Sequence, residues 1–137
     1  MSARPAERTT RMPDARQTLG QRGETFVTGC LRQAGYTILE RNWRTASGEI
    51  DIIAQQPGDP ATLVFVEVRT RQGPLQAAIA ASLESVDERK RARLATLVEE
   101  YLAAQQWEGT PWRIDVAAVA YERGRFSLEV IHHAVDW

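Results

Sequence analysis

Cysteine is nearly absent from this chain. Cys30 stands alone, which excludes an internal disulfide and a cysteine-based zinc site. It falls on the apolar face of a predicted helix, where a thiol serves as a small buried side chain. Long apolar runs are missing as well, so no segment reads as a membrane span. Residues 1–16 carry Arg4, Arg8, Arg11 and Arg16 with Pro5 and Pro13, and lack the apolar centre of a signal peptide. The expectation is a cytoplasmic protein with a flexible basic tail over 1–16 and a single domain over 17–137. Excess charge of one sign is also lacking. With 17 Lys and Arg against 18 Asp and Glu, the chain is not one that coats nucleic acid by charge alone, although a local basic patch remains open to it. Histidine is scarce, and the adjacent pair His132-His133 would point to opposite faces of a strand, where one ion is not easily shared.

What is present has the periodicities of a mixed fold. Leu19, Gly23, Phe26, Val27, Cys30, Leu31 and Ala34 recur at helical spacing, and Gly35 ends that helix. Strands are predicted over 36–44, 49–55 and 62–69, with a turn at Thr45-Ala46-Ser47-Gly48 and a hairpin tip within Gln56-Pro57-Gly58-Asp59-Pro60-Ala61. Ala77 to Leu83 forms a short helix. Ser85-Val86-Asp87-Glu88 matches a capping box for a second long helix reaching Gln105. Strands over 112–121 and 126–132 close the chain. The order places a helical crossover after the third strand, so that the strand following it can lie parallel to a member of the first three. The expected fold class is therefore α/β, a mixed central sheet of about five strands flanked by helices. Trp43, Trp107, Trp112 and Trp137 are expected in the core or at its rim.

The unusual feature is where the acids fall. Gly48-Glu49-Ile50-Asp51-Ile52-Ile53 and Val64-Phe65-Val66-Glu67-Val68-Arg69 set carboxylates inside β-branched runs, positions that strands seldom give to Asp or Glu. A hairpin centred near Asp59 sets Gln55 against Leu63, Asp51 against Glu67, and Glu49 against Arg69. Opposed carboxylates repel. They require a cation or a raised pKa, and relieving either of them should stabilise the protein. A hard divalent ion such as Mg²⁺ or Mn²⁺ accepts such oxygen ligands. The competing reading pairs Glu49 with Arg69 on a wet face and leaves Asp51 and Glu67 apart. Both faces of the Glu67 strand are apolar, so it is expected at the sheet centre, where a buried acid is costly. Glu24 lies at the margin of the first helix's apolar face. Arg89, Lys90, Arg91 and Arg93 crowd the start of the second long helix against its dipole, which phosphate contact would explain; Arg41, Arg44 and Arg71 would extend the patch.

Taken together, Gly20-x-x-Gly23-Glu24, Gly35-Tyr36, Arg41-Asn42, Gly48-Glu49-Ile50-Asp51, Phe65-Val66-Glu67-Val68-Arg69, Lys90 and Arg113-x-Asp115 resemble the YraN-like family of uncharacterised bacterial proteins. That family is similar to archaeal Holliday-junction resolvases, within the restriction-endonuclease-like superfamily of PD-(D/E)xK nucleases. The resemblance implies a restriction-endonuclease-like core and Asp51 and Glu67 as ligands of Mg²⁺ or Mn²⁺. It adds Glu24 as a helix-borne acid of the same site and Arg69 where the superfamily pattern has Lys. It further implies DNA, branched or damaged, as partner, and a homodimer if two strands are cut. Because Arg keeps its charge, Arg69 suits a phosphate better than it suits proton abstraction. A non-catalytic nucleic-acid-binding or assembly module with the same fold is the alternative.

Overall fold

A computed structural model describes residues 17–58 and 61–132. The basic segment 1–16, Asp59 at the hairpin tip, His133 and Trp137 lie outside the described residues. The described elements are α1 (Leu19–Gln33), β1 (Thr37–Thr45), β2 (Gly48–Gln55), β3 (Leu63–Gln72), α2 (Leu75–Glu84), α3 (Glu88–Gln105), β4 (Trp112–Glu122) and β5 (Arg125–Ile131). The strands form one mixed sheet in the order β1-β2-β3-β4-β5. All its pairs are antiparallel except β3–β4, which is parallel across the α2–α3 crossover. This is the α/β architecture expected, and it is consistent with a restriction-endonuclease-like core.

Each element has a local cause. Thr18 caps α1 reciprocally: its hydroxyl accepts from the Gln21 N–H, and the Gln21 side chain accepts from the Thr18 N–H. Gly35, at φ +94°, leaves the helix in the left-handed region. The second cap differs from expectation. Asp87, not Ser85, opens α3 by accepting from the Lys90 N–H, while Ser85 closes α2 and donates to the Ser82 carbonyl. The expected frame started the helix two residues early, because a helix already ending at Glu84 takes Ser85 as its own terminus.

The sheet is covered on both faces. On one, Ile53, Phe65 and Ile114 pack with Leu94, Leu97, Val98 and Tyr101 of α3. On the other, Ile52, Val64, Val66, Val68 and Val119 pack with Val27 and Leu31 of α1. β3 is thus central and apolar on both sides, as its sequence implied. Trp43 meets Tyr101 edge-on at 5.1 Å and Trp112 meets Phe65 at 6.3 Å, both at the rim of the α3-side core; Trp107 lies at its outer margin. Cys30 is half-buried, and burial pushes its thiol pKa up. At the far end of the sheet, the buried Asp115 accepts from Arg113 at 3.0 Å and lies 2.9 Å from His132 Nδ1. His132 is therefore tied into the polar network of Arg113 and Asp115.

Glycine governs one close approach. A methyl group on Gly23 of α1 would run into the Thr70 side chain of β3, its hydroxyl oxygen first and its Cβ at 3.0 Å. This packing, not approach to a phosphate, accounts for Gly23, and it seats the neighbouring Glu24 over the sheet. Gly23→Ala is expected to lower stability by about 1–3 kcal/mol through overpacking, read by chemical denaturation. Adding Thr70→Ala should restore most of the loss; if it restores none, the contact is not the cause.

Candidate functional site

The β2–β3 register is the one expected, from Gln55↔Leu63 to Ile52↔Val66. There the backbone ladder stops, although both strands continue. Past it, the Val68 N–H donates to Asp51 Oδ2 at 2.8 Å, so a side-chain carboxylate takes the acceptor role that a strand carbonyl fills elsewhere. The phase of β2 changes at the same place. Ile50 and Ile53 share the α3-side core, whereas strict alternation would separate them. β2 and β3 thus form a fork, and Asp51 lies in it.

Three acids converge at the fork. Carboxylate oxygens of Glu24 from α1 and of Glu49 and Asp51 from β2 lie within 4.8 Å of one another. Asn42 holds two of them: its amide donates to Glu24 Oε1 at 2.8 Å and to Glu49 Oε2 at 2.7 Å. It does so from a left-handed backbone, φ 53°, which Asn tolerates better than most residues. Burial pushes the Asp51 pKa up to about 7. The charges of Glu67, Glu24 and Glu49 add to the rise, and the Val68 N–H opposes it.

Glu67 is placed differently. It is buried on β3, and its Oε2 meets Lys90 Nζ of α3 at 3.0 Å and Arg69 Nη2 at 3.1 Å. Of the two remedies for opposed carboxylates, Asp51 shows the raised pKa and Glu67 the cationic partners. Glu24 and Asp51 of the expected site are therefore together in the cluster. Glu67 and Arg69 stand beside it as a pair with Lys90. Glu49 pairs with Arg44 at 3.2 Å, so the expected Glu49–Arg69 pairing does not form. Arg41, Arg44, Arg71, Arg89 and Arg93 are exposed. Arg41 donates to the Thr25 hydroxyl, and Arg93 lies against Gly48. Lys90, taken with the surface patch in the sequence reading, turns inward instead.

Two participants escaped the sequence reading. Glu49 sits two residues before Asp51, a same-face spacing that signalled it. Asn42 is a residue type that strands disfavour, in the middle of a strand.

The donor set suits a hard cation: three carboxylates from two elements, α1 and β2, with Asp51 held by a backbone N–H. Fold and site together define an α/β protein with a restriction-endonuclease-like core and an acidic cluster at a strand fork. The chain belongs to the uncharacterised protein family UPF0102, whose family model matches residues 23–119. A UPF0102 protein of Roseiflexus castenholzii is 46% identical over 130 residues, covering 91% of this chain and 98% of that protein. One of Herpetosiphon aurantiacus is 43% identical over 122 residues, covering 86% and 94%. Among solved structures, Pyrococcus furiosus SfsA in complex with Ca²⁺ matches at 13% identity and a TM-score of 0.30, over 83% of this chain and 61% of that one. That likeness is too slight to carry a fold or a ligand across.

The two acids should respond oppositely to neutralisation. Asp51 has a folded pKa above its ordinary value of 3.8, so the fold loses stability as pH rises from there to about 7. Asp51→Asn keeps an acceptor for Val68, and is expected to gain about 2–4 kcal/mol at about pH 8 and almost nothing at about pH 4. Glu67→Gln strips the charge from a buried oxygen that holds two cations, and should lower stability by about 2 kcal/mol at neutral pH. For Glu67 this outcome is the opposite of the one that facing carboxylates alone would give. Thermal unfolding of both variants across pH is the measurement; a stabilising Glu67→Gln would contradict the assignment.

Proposed function

We propose that this protein is a divalent-cation-dependent nuclease that hydrolyses phosphodiester bonds in DNA, with branched or damaged DNA as the favoured substrate. The observation that carries the reading is the juxtaposition of charge at the fork. Glu24, Glu49 and Asp51 gather on one side, and Lys90 and Arg69 gather on Glu67 beside them. A phosphodiester hydrolase needs both: carboxylates for a cation, and cations for the phosphate.

Asp51, Glu24 and Glu49 would hold Mg²⁺ or Mn²⁺, with Glu67 beside them on β3. The bound ion supplies an activated water and offsets charge on the reacting phosphate. The chain's own residues do the remainder. Val68 fixes the orientation of Asp51, and Asn42 fixes Glu24 and Glu49. Arg69, which stays charged, is suited to hold a non-bridging phosphate oxygen, where preorganised charge counts most. The exposed Arg41, Arg44, Arg71, Arg89 and Arg93 suit the sugar-phosphate backbone on either side, together with Lys90 at its inner end.

The position of Arg69 also favours a second reading. No lysine follows Glu67 at the spacing of the PD-(D/E)xK pattern, and the residue there is bound to Glu67 itself. On that reading the protein is a nucleic-acid-binding or assembly module without turnover.

Incubation of pure protein with four-way junctions and linear duplexes, with Mg²⁺ or Mn²⁺, separates the two. The nuclease reading expects metal-dependent cleavage that falls by at least about a hundredfold in Asp51→Ala, the scale on which loss of metal-site groups acts. Cleavage that survives Asp51→Ala would indict a contaminant and sink the assigned site. DNA binding without cleavage under any metal would favour the second reading. Because Asp51 must shed a proton to act as a ligand, Mn²⁺ affinity should rise about tenfold per pH unit up to its pKa near 7, then level off. A flat profile over that range, read by calorimetry, would remove Asp51 from the ligand set.

A further inference from the structure

Lys90 is oddly spent if its only task is to neutralise Glu67. Arg69, two residues along the same strand face, already reaches the same oxygen, Oε2, at 3.1 Å. Two cations on one carboxylate oxygen leave a net positive charge beside a cluster of three acids. Lys90 also sits in the first turn of α3, where the helix dipole disfavours an ammonium. Nearby, Arg69 Nε is a buried donor to which nothing among the described residues offers an acceptor. The remainder of the Arg69 side chain is partly exposed, and a phosphate drawn to its guanidinium would compete with Glu67 for Lys90.

Glu67 is meanwhile close enough to the cluster for its charge to raise the pKa of Asp51, and its neighbour Val68 is hydrogen-bonded to that same carboxylate. Glu67 stands outside the cluster, and its Oε2 is paired with Lys90 and Arg69.

We propose that Lys90 is a positioning residue that couples phosphate binding to cation binding. Paired with Glu67, it holds that carboxylate apart from Glu24, Glu49 and Asp51; a DNA phosphate that draws the ammonium away releases Glu67 to complete their ligand set. The inference rests on the reading that the acidic cluster takes a divalent cation. It makes DNA and the cation mutually dependent ligands, each raising the affinity of the other by the same factor. It also confines the full ligand set to the DNA-bound protein.

The test is Mn²⁺ affinity of the full chain by titration calorimetry, with and without a four-way DNA junction. Lys90→Met should bind Mn²⁺ roughly five- to hundredfold more tightly than wild type in the absence of DNA, the usual span of coupling between sites. Lys90→Gln should do the same, which guards against a packing defect peculiar to one side chain. The gain should vanish in a Glu67→Gln background, since it acts through that carboxylate. Arg89→Met, which removes a nearby exposed charge, should give a much smaller gain. Wild-type affinity should rise when the junction is bound, and that of Lys90→Met should not. The proposal is overturned if Lys90→Met matches wild type, if its gain persists with Glu67→Gln, if Arg89→Met equals it, or if the junction leaves wild-type affinity unchanged. Mn²⁺ binding that is abolished by Asp51→Asn while indifferent to Lys90→Met overturns this inference alone. Wild-type protein that binds no Mn²⁺, or Asp51→Asn that binds it as well, overturns the metal reading and this inference with it.

Discussion

The hydrogen bond from the Val68 N–H to Asp51 Oδ2 is the hinge of the site. A strand amide in the middle of a sheet must find an acceptor, and losing one is expensive in a buried setting. At Val68 the acceptor is a carboxylate of the neighbouring strand. That choice separates β2 from β3 beyond Ile52 and Val66, and it seats Asp51 between them. It also allows Ile50 to turn into the α3-side core without carrying Asp51 into it. Glu49 and the opposite strand's Asn42 then fall within reach, and α1, brought close by Gly23, adds Glu24. A site with four contributors thus hangs on one satisfied amide.

The electrostatics follow from the fork. Four carboxylates lie in and beside it, and water cannot screen them fully because two layers of helix cover the sheet. The protein resolves the repulsion in two separate ways. Glu67, deepest on β3, has permanent cations in Arg69 and Lys90. Asp51 has a raised pKa, near 7, and so takes up a proton or a cation according to conditions. Glu24 and Glu49, nearer to solvent, share the Asn42 amide, and Arg44 adds a charge to Glu49 at the rim. Of these four carboxylates, Asp51 is the one whose charge has no cationic partner among the described residues and whose pKa is raised. In that sense the electrostatic frustration of the fold is concentrated at one atom group.

Much of this was legible from residues alone. Turn chemistry in the segment that follows Gln55 set the hairpin register, and Gln55↔Leu63 to Ile52↔Val66 follow it. Alternation in Leu63 to Val68 disclosed a strand buried on both sides, and the acids stood out against it. The helical crossover implied that the strand after it could lie parallel to one of the first three, and the fold makes that neighbour β3. What stayed hidden depends on departures from regularity. A register drawn through Asp51 and Glu67 assumes that the ladder continues, and it ends one pair short. The left-handed Asn42 reverses the local direction of a side chain that strand alternation cannot place. Lys90 is one of four cations in a five-residue run, and helical periodicity alone does not distinguish the one that turns inward. The second helix cap was misread because Ser85 and Asp87 both precede good helix formers, and only the end of α2 decides between them.

The arrangement bears on why an arginine is tolerable after Glu67. A lysine at that place would be a second flexible ammonium on the same strand face as Glu67, close to Lys90, and the two would compete for one carboxylate oxygen. Arginine avoids the conflict. Its planar, permanently charged fork reaches Oε2 through Nη2, while its stem lies along β3 with Nε buried. The amine at the site comes instead from α3, whose start is fixed by Asp87 accepting from the backbone of Lys90 itself. The same residue that caps the helix therefore sets the height of the ammonium over Glu67. A flexible side chain on a well-anchored backbone can leave its carboxylate and return to it, and a rigid fork on a central strand is poorly made to do so. The division of labour between Arg69 and Lys90 is thus one between a fixed charge and a movable one. Read from residue types alone, Arg69 looked like a missing part; in the folded chain the ammonium stands on a different element.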